Sequence, residues 1–143
     1  MLTSSKQKVL LVSNTNQGID DILLKLKNVG RFNQFIRVTS NTSSVNPEIR
    51  PFVKEANGFD SFADIRRFID NYQVYGATCN QVGNPLLLLC GVFDYCIMGD
   101  ASQFTEPLAI GPLLIAKKFV MIGDYKMYSP QVKSPMAQRK GMG

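Results

Sequence analysis

Short apolar runs at 8–13, 34–38, 73–78, 92–98 and 119–122 alternate with stretches whose apolar residues recur at helical spacing, and this alternation constrains the fold more than any other feature. Runs of this length, bounded by turn residues, read as strands buried on both faces. Strands that alternate with helices assemble into a parallel sheet covered on both sides, so the expected class is α/β. In the first helical stretch Ile19, Ile22, Leu23 and Leu26 fall at i, i+3, i+4 and i+7, which makes one apolar face. Asp20 and Asp21 sit towards the positive N-terminal end of that helix and Lys25 and Lys27 towards the negative end, with Gly30 as a stop. Thr39 to Asn46 is rich in Ser, Thr and Asn and reads as a loop. Phe59, Phe62, Ile65, Ile69 and Tyr72 form a second helical stripe, with Ser61 and Asp64 at capping-box spacing. Thr105-Glu106-Pro107 opens a third helix, which Pro112 is expected to kink or interrupt.

Composition narrows the function classes. A chain of 143 residues with 45% hydrophobic and 19% charged residues is one domain's worth of globular material. Its apolar runs fall short of the roughly 20 residues needed to cross a bilayer, and Val9 to Val12 is too brief for a secretory signal core, so a soluble intracellular protein is expected. There is no histidine, which removes Ser-His and Cys-His catalysis. Cys79, Cys90 and Cys96 match no zinc spacing and, being odd in number, do not complete a disulfide framework; they read as buried thiols, and no metal site is expected. The net charge of +5 permits nucleic-acid binding, but the basic residues fall in scattered pairs such as Arg66/Arg67 and Lys117/Lys118.

Several blocks, in order, carry a resemblance. Ser13, Thr15, Ile19, Asp20, Ile22, Leu23, Leu24, Lys25 and Leu26 match a block of the form S-x-T-x-S-A-V-D-N-I-L-L-K-L. Val45-Asn46-Pro47-Glu48-Ile49-Arg50-Pro51-Phe52 resembles V-H-P-x-I-x-x-F, Ala77-Thr78-Cys79 resembles A-T-T-C, and Phe93 to Gln103 resembles F-D-F-C-I-V-D-E-A-S-Q. Gly111-Pro112-Leu113 and Gly123-Asp124 match the approach to motif III and its first two residues. Together these resemble the superfamily-1 helicase core of the eukaryotic DNA replication ATP-dependent helicase/nuclease family, from about Lys8 onward. The resemblance implies a P-loop NTPase sheet of the RecA-like kind, ATP and magnesium as cofactors, 5′-to-3′ DNA unwinding in replication and repair, single-stranded DNA as partner, and work in the nucleus. Residues 1–143 would then be a partial helicase ATPase domain, from the first DNA-contact block through motif III.

The departures from the family decide what activity is expected. A phosphate loop of the form G-x-x-x-x-G-K-[ST], whose amides and lysine hold the phosphates, does not occur in the sequence, so the expected sheet lacks the phosphate-loop strand and leaves neighbouring strand edges or faces uncovered. The acid that positions magnesium in the family corresponds to Gly99, and the glutamate that orients the attacking water corresponds to Asp100. Glycine offers no ligand atom and aspartate is one methylene short; losing a positioned general base costs roughly 10²–10⁴-fold in rate. Met127 stands where the glutamine that senses the terminal phosphate is expected, leaving Asp100 and Asp124 as the remaining catalytic and cofactor-binding positions. The chain is therefore expected not to hydrolyse ATP on its own and to hold no cofactor of its own.

Contact with single-stranded DNA is the activity that the resemblance leaves in place. It maps onto Ser13, Thr15, Asn16 and Thr78, since hydroxyls and free amides at a helix N-terminus bind phosphate without reading sequence. The same Ser and Thr are equally good helix caps. A non-catalytic binding module and a degenerate product without stable structure stand as alternatives. Leu86 to Leu89 replaces a more polar connection of the family and reads as a buried segment, a protein-partner surface or an aggregation-prone patch.

Overall fold

A computed structural model of the chain describes residues 7–54, 59, 61–126 and 129–141. The strands are β1 (Val9–Ser13), β2 (Phe35–Arg37), β3 (Val74–Thr78), β4 (Phe93–Gly99) and β5 (Ala116–Ile122), and the helices are α1 (Asn16–Asn28), α2 (Phe62–Asp70), α3 (Pro85–Cys90), α4 (Glu106–Leu114) and α5 (Pro135–Arg139). The strands form one sheet in the order β2-β3-β1-β4-β5, and every pairing is parallel. The α/β expectation holds.

Alternation along the strands divides the core in two. Leu10, Val12, Tyr75, Ala77, Cys96 and Met98 point to one face, where α2, α3 and α4 cover them. Leu11, Ile19, Leu23, Phe35, Val45 and Ile49 pack on the opposite face under α1. A close approach seats α1: a Cβ on Gly76 of β3 would lie 2.8 Å from Leu23 Cδ1, so the glycine makes room for the leucine. On the other face Tyr75 stacks edge-on against Phe93 at 5.4 Å, and its buried hydroxyl donates to the Ile69 carbonyl at 2.8 Å.

The helix ends follow the local sequence with two corrections. Ser61 caps α2 as expected, accepting from the Asp64 amide at 3.2 Å. First, Thr15 caps α1, which places Asp20 and Asp21 beyond the first turn. Asp20 is buried and bonds Arg37 Nε at 2.7 Å instead of facing the helix end, because the fully buried Arg37 needs a counter-charge. The stop expected at Gly30 holds, since α1 ends at Asn28 with Val29 as its C-cap; the left-handed residue beyond it is Arg31 (φ 48). Gly30 is required by crowding, since a Cβ there would meet the Leu26 carbonyl oxygen at 2.7 Å. Second, Pro112 does not interrupt α4, which continues to Leu114. It supplies no N–H to the Leu108 carbonyl, but only two helical residues follow it, and its ring is buried.

The segment Leu86 to Leu89 is α3, capped by the Asn84 side chain, and its apolar residues mostly face inward. Leu86 and Leu87 are fully buried, and within that run Leu88 alone is largely exposed. Of the three readings of this segment, burial favours the buried one: four consecutive leucines on a helix cannot share one face, and the core takes two of them completely. Apolar exposure lies instead on β5, where Phe119, Val120, Met121 and Ile122 are each 45–59% exposed. β5 pairs with β4 on one side, and among the described residues no strand pairs with its other side.

Candidate functional site

The polar corners of the fold gather at the C-terminal ends of the parallel strands, the edge at which open α/β sheets bind ligands. Beyond β4 and β5 a cleft of about 670 Å³ opens against α1. Its rim holds Asp21 and Lys25 of α1 with Gly99, Asp100, Gly123 and Asp124, and Leu11, Ile22, Ile97 and Ile122 line its apolar part. The structure thus brings the two expected cofactor positions, Asp100 and Asp124, to one cleft.

Local geometry explains how each is held. Asp100 adopts the left-handed conformation (φ 54, ψ 39), which short polar side chains tolerate, and its carbonyl accepts from the Gln103 amide at 2.9 Å to close the turn Ala101–Gln103. Gly123 then docks on that turn, since a Cβ there would meet the Ser102 amide nitrogen at 2.6 Å and that of Ala101 at 2.9 Å. Asp124 bonds the Lys126 amide through Oδ1 at 2.9 Å, which aligns its loop and engages one of its oxygens. Sequence reading singled out Gly123-Asp124 as a motif but missed the contact that makes this glycine necessary. Met127 lies outside the described residues.

Gly99 offers no ligand atom at the position where the family resemblance expects the acid for magnesium. At position 99 a Cβ would lie 2.8 Å from Ile22 Cδ1, so a side chain there would have to turn the end of Ile22 aside. Among the described residues no group of three or more His, Cys, Asp or Glu side chains is placed to hold a metal ion.

The expected DNA-contact residues have different surroundings. Thr15 is exposed, and its hydroxyl accepts from the Gly18 amide at 3.0 Å. Asn16 is half-buried and engaged at both ends of its amide: Oδ1 accepts from Arg37 Nη2 at 2.8 Å and Nδ2 donates to Ser44 Oγ at 3.1 Å. Ser13 and Thr78 are buried, and Ser13 Oγ has no hydrogen-bond partner. Sequence reading missed Arg37, which anchors this end of the sheet. Besides Asp20 and Asn16 it bonds the Val38 carbonyl at 2.7 Å, while Asp20 Oδ2 accepts from the Asn46 amide at 2.8 Å. A lone arginine inside an apolar run, Phe35-Ile36-Arg37-Val38, was the available signal.

The three thiols are buried and unlinked. Burial pushes Cys90 and Cys96 each up to about 11 and raises Cys79 as well, so none has the thiolate character of a nucleophile. Among the described residues no helix is long and apolar enough to cross a membrane.

A family profile described as an AAA domain matches residues 52–135, which run from the approach to α2 through β5 and include Asp100 and Asp124. The chain belongs to the AAA domain family. Within that family it is similar to the DNA replication ATP-dependent helicase/nuclease JHS1 of Arabidopsis thaliana, at 38% identity over 135 residues that cover 94% of this chain and 10% of the relative. It is 36% identical over 140 residues to the helicase/nuclease DNA2 of Xenopus laevis, covering 94% of this chain and 13% of the relative. Human DNA2 is 31% identical over 140 residues, with the same two shares. The chain thus resembles one part of a DNA2-type helicase/nuclease and spans about a tenth of such a protein's length.

Proposed function

We propose that this AAA domain chain is a helicase-motor segment that holds single-stranded DNA without hydrolysing ATP on its own. The observation that carries the reading is Gly99 beside the Ile22 methyl group: where the family resemblance places an acid for magnesium, this chain offers no ligand atom. Asp100 and Asp124 remain at the rim of the cleft, but two carboxylates without a phosphate cradle repel a triphosphate rather than bind it. The DNA surface of this reading is the rim at the C-terminal end of β1, where Thr15 is exposed and the N-terminus of α1 offers its free amides. Asn16 supports that rim by holding Ser44 of the neighbouring loop. Ser13 and Thr78 lie beneath it. The expected cellular setting is DNA replication, which the names of the relatives print, with repair and the nucleus carried over from the family resemblance.

Purified chain, assayed for phosphate release with magnesium and ATP, is expected to show no stimulation by single-stranded DNA. A labelled oligonucleotide is expected to bind at low salt and to dissociate steeply as salt rises. DNA-stimulated ATP turnover, with contaminating enzymes excluded, would overturn the first half of the proposal; no anisotropy change at low salt would overturn the second.

The bare β5 strand favours a second reading, in which the segment works only inside a longer helicase/nuclease whose other residues cover β5 and supply the phosphate loop. Its signature is a chain that gains solubility and a sharper melting transition when expressed with adjoining sequence.

A further inference from the structure

A second cavity, of about 270 Å³, lies beside Thr15 at the C-terminal end of β1 and the start of α4. Its chemistry differs from that of the acidic cleft. Asn14, Gln103, Thr105, Ser129 and Gln131 line it with amides and hydroxyls, Leu108 supplies an apolar contact, and among the described residues no charged side chain takes part. Several of these groups are uncommitted: the Thr105 side chain makes no capping bond, and the Gln103 and Gln131 amides have no hydrogen-bond partner among the described residues. Asn14 is held in place, with Nδ2 donating to the Gln103 carbonyl at 3.4 Å.

From this lining we infer that the cavity takes one unpaired nucleobase of the bound strand. The inference rests on the single-stranded-DNA reading above and goes beyond it, because a phosphate track alone predicts indifference to bases. A phosphate is a poor occupant, since among the described residues no cation lines the cavity. A base suits it. Carboxamides present a donor and an acceptor side by side, the complement of a base edge, and an apolar side chain meets the flat face of the ring. The volume is below the roughly 300–1,000 Å³ of pockets for drug-sized ligands, which fits one small ring rather than a larger molecule. Thr15 belongs both to the exposed rim and to this cavity, so a phosphate held at the rim has its own base within reach of the glutamines.

The test compares labelled oligonucleotides of equal length that carry either bases or abasic sites at every position, bound to the unaltered chain and to a Gln103→Ala, Gln131→Ala double variant. The unaltered chain is expected to prefer the base-bearing strand by about 5-fold or more, the scale of one bidentate amide contact. The double variant is expected to lose most of that ratio while the salt dependence stays as it was, with thermal melting confirming that it folds. Equal affinity of the unaltered chain for both strands overturns the inference and leaves the phosphate track standing. So does a variant that weakens both strands alike. If neither strand binds at low salt, the single-stranded-DNA reading fails and this inference fails with it.

Discussion

Gly123 sits so near the turn after β4 that an added methyl group would meet backbone nitrogen at 2.6 Å, and backbone cannot step aside as a side chain can. Gly123→Ala is expected to cost about 1–3 kcal/mol, the usual penalty of overpacking, and to free the loop that carries Asp124. Urea denaturation of the variant beside the parent measures it, and an unchanged midpoint would show that the loop relaxes without cost. Arg37 tests a different mechanism. It is fully buried and bonded to Asp20 at 2.7 Å, so Arg37→Met leaves a buried carboxylate without its counter-charge. A loss of about 3–5 kcal/mol is expected. Asn16 and Asp20 also lose the donors that arrange the loop at Ser44 to Asn46, so oligonucleotide binding should weaken even where the variant remains folded. At position 99 restoring the acid is expected to restore nothing: Gly99→Asp forces Ile22 aside and still finds no phosphate loop, so phosphate release should stay at background.

At the scale of elements, α3 and β5 exchange the roles that their sequences suggest. Leu86 to Leu89 is the most continuous apolar run in the chain, yet a helix distributes consecutive residues around its axis and α3 buries two of them completely. Leu86→Ala is expected to cost about 2–5 kcal/mol, whereas Leu88→Glu should stay within about 0.5 kcal/mol, and thermal melts of the pair separate a core helix from a partner surface. In β5 the apolar residues face outward on both sides of the sheet, although Phe119 to Ile122 reads locally like any buried strand. Such an edge invites association with other strands. Val120→Lys is expected to lower light scattering of concentrated protein while leaving the melting temperature nearly unchanged, because Val120 is already 45% exposed. A marked loss of stability instead would mean that β5 is covered in solution.

For the whole molecule, the buried thiols tie stability to pH. Cys90 and Cys96 are each raised from 9.0 to about 11 by burial, so the folded state keeps both protons at a pH where the unfolded chain releases them. Their contribution is complete below pH 9 and is lost as pH climbs towards 11. Urea midpoints measured at pH 8 and pH 10.5 should fall at the higher value, and replacing Cys96 with Ala should reduce the drop. The same burial predicts slow modification by thiol reagents at neutral pH, with rates that follow unfolding.

The sequence alone determined the parallel α/β class, the five strands, the Ser61 cap and the family, because periodicity, caps and motif order are local properties that a single pass along the chain displays. Its resemblance also directed attention to Gly99, Asp100 and Asp124, on which the proposed loss of a nucleotide site rests. Only the tertiary structure decided that Asp20 belongs to Arg37, that Ser13 and Thr78 are covered while Thr15 is not, and that β5 rather than α3 is bare. Those outcomes depend on which distant residues meet. Burial and close approach arise from pairs far apart in sequence, such as Gly123 with Ser102 or Arg37 with Asn16, and neither partner carries a mark of the other.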